Sequence, residues 1–175
     1  QATGDAEFAQ VARKTLDWVL AEMTHPDGGF YSAQDAGDFG EEGDYYAWTQ
    51  EELSRVLSPE EFEFVQKRFQ ITKYGNFEGN RNVLHVPPDV AIPDEKDPLY
   101  ASAHSKLIKV RSKRERPRLD DKILTDWNGL MIAAMARGYQ VLGEERYLGA
   151  AKTAASFIRG RMMDKEGQLL HRAVE

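Results

Sequence analysis

Residues 4–31, GDAEFAQVARKTLDWVLAEMTHPDGGFY, and residues 143–170, GEERYLGAAKTAASFIRGRMMDKEGQLL, align without a gap, Gly4 falling on Gly143. Gly4, Ala12, Met23 and Gly28 recur unchanged as Gly143, Ala151, Met162 and Gly167. Phe8 matches Tyr147, Arg13 matches Lys152, Trp18 matches Phe157 and Val19 matches Ile158. In the first copy Phe8, Val11, Ala12, Leu16, Val19 and Met23 follow the i, i+3, i+4 spacing of one buried helical stripe. Pro26, Asp27, Gly28 and Gly29 then end the helix. A helix, an acidic-glycine turn and an apolar pair, occurring twice, is the outer-helix unit expected in a ring of helical hairpins. Two units do not close a ring. The expected fold is therefore mainly α, part of an (α/α) toroid with a small antiparallel β insertion. The whole span 1–175 is expected to be a single internal stretch of that toroid, inactive alone; its first residue, Gln1, is not Met.

Between the two copies, the local signals predict more helices and a few strands. Thr49 followed by Glu52, and Ser58-Pro59 followed by Glu61, are capping boxes that open two helices, the second ending near Phe69. Asp97-Pro98 opens a third, with Leu99, Ala103, Leu107 and Val110 as a weak apolar stripe. It closes on Lys113, Arg114 and Arg116 before Pro117, where cations suit the helix C-terminus. Residues 127–142 form a strong helix with Trp127, Leu130, Met131, Ala134 and Val141 on one face, and Gly143 is a natural residue to follow it. Alternation near 30–33 and 44–48 predicts a hairpin around the acidic loop 35–44, and 82–86 predicts a further strand.

The 175 residues carry 23 Lys and Arg against 29 Asp and Glu, a net charge of -6, which argues against a general nucleic-acid binder. There is no cysteine, so neither a disulfide nor a thiol nucleophile is available from this stretch, and a cytoplasmic location is expected. No apolar run approaches a membrane span. The four histidines, His25, His85, His104 and His171, lack metal-ligand spacing and read as structural; neither metal nor cofactor is expected.

Three stretches place chemistry-bearing residues together. In the loop 35–44, carboxylates sit among glycines and next to Phe39, Tyr45, Tyr46 and Trp48. Glycines let backbone approach a ligand, and carboxylates bond sugar hydroxyls or exchange protons. The same composition also fits a solvated turn. In 116–130, Asp120 and Asp121 precede the helix that opens on Trp127 and Asn128; adjacent carboxylates shift one another's pKa. Acids at a helix entry are also favourable without any ligand. The turn 76–82 is rich in amides and holds Glu78. The candidate catalytic residues are thus Asp35, Glu42, Asp120 and Asp121, and the candidate substrate-binding residues are Tyr31, Trp48, Glu78, Trp127 and Asn128. The basic run 109–118 reads as a helix end pairing with surrounding acids.

Several stretches in order, GGFYSAQDA at 28–36, EGDYYAWT at 42–49, GNFEG at 75–79, NVL at 82–84 and DDKILTDWNGL at 120–130, resemble the thioredoxin-domain-containing proteins related to the spermatogenesis-associated family and to bacterial YyaL. The resemblance implies a thioredoxin-like domain followed by a six-hairpin toroid similar to those of N-acylglucosamine 2-epimerases and glycoside hydrolases. The present stretch would lack the thioredoxin-like part and several hairpins. It implies no assigned catalytic residue. The expectation that follows is part of a carbohydrate-active domain, glycosidase-like or epimerase-like, acting on a sugar or sugar derivative. The alternative is a non-catalytic toroid that binds a ligand or protein for the attached redox domain. Trp18, Leu130, Met131 and Phe157 are expected on a face left open for the remaining hairpins, or for self-association.

Overall fold

The computed structural model describes residues 3–37 and 43–173. In chain order the elements are α1 (Ala6–Glu22), β1 (Ala33–Gln34), β2 (Trp48–Thr49), α2 (Gln50–Val56), α3 (Pro59–Arg68), β3 (Arg81–Asn82), α4 (Pro98–Arg111), β4 (Leu119–Asp120), β5 (Ile123–Leu124), α5 (Thr125–Leu142), α6 (Glu145–Arg161) and β6 (Arg172–Ala173). The protein is mainly helical with short antiparallel strand pairs. It divides into two compact units, Gln1–Asp35 with Leu119–Glu175, and Ala36–Arg118. No helix among the described residues is long and apolar enough to cross a membrane.

In the first unit the sequence repeat becomes a structural repeat. The helix α1 corresponds to α6 end for end, and each closes on a methionine with nearly the same backbone: Met23 at φ -121, ψ 20 and Met162 at φ -118, ψ 21. The turns match bond for bond. Gly28 N–H donates to His25 O and Gly167 N–H to Asp164 O; Tyr31 N–H donates to Met23 O and Leu170 N–H to Met162 O, both at 2.9 Å. The bridges Thr24–Phe30 and Met163–Leu169 close the two turns. The correspondence outruns the sequence match, because β1 and β6 then follow at the same distance. The two helices run side by side in the same direction. Arg13 reaches Glu144, Asp17 takes two bonds from Arg146 at 2.8 and 3.1 Å, and Asp27 meets Arg161. Both pack on α5, and the core between them is Val19, Met23, Phe30, Met135, Tyr147 and Ala154.

Strand pairing differs from the expected hairpin. β1 pairs with β4, Ala33 opposite Asp120, and β5 pairs with β6. In the second unit β2 pairs with β3, Trp48 opposite Asn82, and no strand continues through 83–86. Each strand is two residues long, too short for alternation to select its partner. The helices of this unit start where their caps predict. Thr49 with Glu52, and Ser58 with Glu61, form both halves of their capping boxes, and Asp97 accepts from Leu99 and Tyr100 N–H. Leu53, Leu57, Val65, Ile71, Ala103 and Leu107 form the core beneath Trp48.

The expected open face is present in part. Leu130 and Trp18 are exposed and Met131 is half-buried, whereas Phe157 lies in the core with Ile123, Ile158 and Met162. On α5 the buried residues are Asn128, Met135 and Gly138, so Trp127, Leu130 and Val141 face water.

Candidate functional site

At the end of the first unit where α1 and α6 finish and α5 begins, two strand pairs and two turns collect the sequence candidates. The α1 turn is tied by backbone and side-chain bonds. The buried His25 accepts the Asp27 N–H on Nδ1 at 2.9 Å, and its ring packs against Tyr31 and Phe157. In the other copy Asp164 accepts the Glu166 N–H in the same manner. From this turn the chain joins β4: Ser32 N–H donates to Asp120 O at 3.2 Å and the Ser32 hydroxyl to Lys122 O at 2.7 Å. The antiparallel register sets Ala33 opposite Asp120 and Gln34 opposite Leu119, so Asp35, after β1, and Asp121, after β4, leave the two-residue ladder at its opposite ends.

The three carboxylates are not equivalent. Asp120 pairs with Lys122 Nζ at 2.7 Å and accepts the Lys122 N–H. The lysine holds its carboxyl below the usual carboxylate range. An acid stabilised in its charged form is a poor proton donor near neutrality, so Asp120 suits orientation of Lys122 better than proton delivery. Asp35 and Asp121 are exposed, and their side chains make no ion pair or hydrogen bond among the described residues. Asp126, in the first turn of α5, and Glu166, in the α6 turn, are likewise exposed without a side-chain partner among the described residues, so four acids of this end remain available to hydroxyl groups.

Trp127 and Asn128, neighbours in the first turn of α5, part company. Trp127 is 52 % exposed; Asn128 is 1 % exposed. The Asn128 amide accepts from Phe30 N–H at 2.7 Å and donates to Phe30 O and Leu124 O, each at 2.9 Å. Its bonding capacity is spent on backbone, so it fixes the turn rather than facing a ligand. Tyr31 is half-buried against the core and His25.

The second unit holds the other candidates. Glu42 lies outside the described residues. Glu78 is exposed, in a single 3-10 turn. Trp48 is 3 % exposed and offers no open ring face. The Arg114 guanidinium covers it at 3.9 Å from the ring centroid. The same group donates to Asp44 O, Tyr45 O and Ala47 O, with Glu52 3.5 Å away. Burial lowers the Arg114 pKa, the Glu52 charge opposing that shift. Arg81 pairs with Asp44, and both line a cavity of about 300 Å³ together with Glu52, Arg114, Glu115 and Arg116. Arg111 and Arg114, which wrap the aromatic stretch, were not among the sequence candidates. Their signal was the basic run 109–118, which pairs with rings and carbonyls as much as with acids. Among the described residues no three His, Asp or Glu side chains group closely enough to hold a metal ion.

No family model matches the chain. It is 31% identical to spermatogenesis-associated protein 20 of Homo sapiens over 94% of its length, and 30% identical to the protein of that name in Mus musculus over 98%. The chain is related to spermatogenesis-associated protein 20. An uncharacterized protein of Caenorhabditis elegans is 29% identical over 86% of the chain. The chain spans about a quarter of the length of these curated relatives.

Proposed function

We propose that the α5 end of the first unit is a saccharide-binding surface, and that in the full-length protein it forms part of a carbohydrate-active site. The observation that carries this reading is the exposed Trp127 indole, set on a turn that Asn128 ties to Phe30, in a unit where the exposed Asp35 and Asp121 have no side-chain partner among the described residues. A flat apolar face with a few placed polar groups is what a sugar ring requires. Trp127 would stack on the ring, Asp121 and Asp35 would bind hydroxyls or exchange protons, and Lys122 would stay paired to Asp120. The repeat of α1 and α6 around α5 supports a place for this stretch in a ring of helical hairpins. The remaining hairpins and a thioredoxin-like domain would lie elsewhere in the full-length chain. A cysteine-free stretch is consistent with a cytoplasmic protein.

A glycan and sugar-phosphate binding screen on the full-length protein tests this. Asp121→Asn, Asp35→Asn and Trp127→Ala should each abolish saccharide binding while the melting temperature moves by no more than about 2 °C, as expected for exposed side chains. If no saccharide binds, or if the three variants bind like the parent, the reading fails. The alternative is then a non-catalytic toroid that docks a protein, favoured by the apolar groove of about 490 Å³ between α1 and α5.

A further inference from the structure

The second unit contains a cavity unrelated to the surface just described. It has a volume of about 450 Å³, within the range of small-molecule sites. Its floor is Trp48, Val65 and Ala103, all buried, and Val83 and Ile108 stand exposed at its mouth. Packing therefore leaves an apolar hollow above the core of this unit instead of filling it, although filling would have been favourable.

Tyr46, Tyr100 and His104 also line the cavity, and the group that gives its lining a fixed charge is Arg111, in the last turn of α4. Its guanidinium lies 5.4 Å from the ring centroids of both Tyr45 and Tyr46. Those rings are neutral. Among the described residues Arg111 has no ion pair. By contrast Arg55, Arg81 and Arg114 of this unit each meet a carboxylate: Glu51, Asp44 and Glu52. An unmatched, ring-oriented guanidinium at the edge of an apolar hollow is complementary to one carboxylate on an apolar body. The planar fork can donate two parallel hydrogen bonds to a carboxylate. A neutral apolar ligand would leave the cation unmatched.

We infer that this cavity, closed below by Trp48 and edged by Arg111, binds a small amphipathic carboxylate, an acyl or aryl monoacid whose tail fills the hollow and whose head meets the guanidinium. Calorimetric titration of the full-length protein with octanoate, and with 1-octanol as the uncharged control, tests it. Octanoate should bind at least about tenfold more tightly than octanol, the worth of one charge-assisted contact. Arg111→Gln should remove that preference. Val83→Glu, which places a like charge at the exposed mouth without touching the core, should weaken octanoate at least about tenfold and leave octanol closer to its parent value. Failure of octanoate to bind the parent protein, including through occupation of the cavity by another part of the full-length chain, overturns the inference. So does equal binding of the two probes, or octanoate binding that survives Arg111→Gln unchanged.

Discussion

Asn128 stands to Phe30 as a neighbouring strand would, its side-chain amide taking both the N–H and the C=O of the Phe30 peptide. Asn82 does the same for Thr72 in the second unit, accepting from its N–H at 3.1 Å and donating to its C=O at 3.1 Å. In both places strands of two residues are too short to satisfy the buried backbone, and a buried amide completes the pairing. Replacing Asn128 by Ala strands two buried backbone groups. At about 1–3 kcal/mol for an orphaned buried group, partly offset by entering water, the expected loss is about 2–4 kcal/mol. Urea unfolding of Asn128→Ala should show this as a lower midpoint with an unchanged slope. A shift of less than about 0.5 kcal/mol would mean that the amide is not what holds the turn.

The two copies of the turn allow an internal control. Gly28 and Gly167 both have positive φ, 109 and 81. A Cβ at Gly28 would stand 2.3 Å from the Thr153 methyl, and Thr153 is held by its hydroxyl bond to Gly149 O at 3.0 Å. A Cβ at Gly167 meets only the tip of Met163 at 4.0 Å. Gly167→Ala should therefore cost about 1–2 kcal/mol, from backbone strain alone, and Gly28→Ala about 3 kcal/mol or more. Adding Thr153→Ser, which deletes the obstructing methyl, should restore part of the Gly28→Ala loss. Equal melting temperatures for the two single variants would show that the turns differ less than their surroundings do.

Helix limits and the repeat were legible in the sequence because their causes are local. Thr49 with Glu52, Ser58 with Glu61, and Gly143 after α5 each act within a few residues. The strand partners were not. Ala33 pairs with Asp120 and Trp48 with Asn82, across separations at which a two-residue strand carries no register information. The role of Asn128 was hidden for the same reason: the peptide it serves belongs to a distant turn. Trp48 looked like a sugar platform because an indole among acids and glycines has that composition. Its cover, Arg114, comes from another part of the chain. The α5 stripe of Trp127, Leu130 and Val141 was visible as a face, but periodicity says only that a helix has an apolar side. In this chain that side meets water.

Glu61 ties α3 to α4 and gives the second unit a defined acid sensitivity. Its carboxylate accepts from Lys106 Nζ at 2.7 Å, the Ser102 hydroxyl at 2.6 Å and Ser58 N–H at 2.7 Å. These bonds, Lys106 foremost, hold its pKa down at about 2, against an ordinary 4.5. A pKa lower in the folded state means that the unfolded chain takes the proton more readily. The stability it contributes is complete above about pH 4.5 and is lost as the pH falls towards about 2. Because Lys106 is half-exposed, Glu61→Ala should cost about 2–3 kcal/mol near neutrality, the low side of the cost of breaking a buried pair. The gap between parent and Glu61→Gln in urea midpoint should narrow between pH 6 and pH 3. A gap that stays constant over that interval would exclude Glu61 as the titrating group.

Phe8 and Val141 line the groove between α1 and α5, 66 % and 37 % exposed. Neither contributes much burial within the chain, so replacing them should move unfolding stability by no more than about 0.5 kcal/mol each. Their effect should fall on association. Apolar side chains gathered along one groove lose hydration when a second surface covers them, at about 25 cal/mol per Å². The 175-residue chain at high concentration should therefore sediment as a mixture of monomer and larger species. Phe8→Glu combined with Val141→Glu should return it to monomer, because two desolvated carboxylates facing their own copies repel. Self-association that persists in the double variant would move the contact elsewhere, with Leu130 and Trp127 as the next surface to change. A parent chain that sediments as a monomer would mean that this groove is stable in water and has no need of a partner.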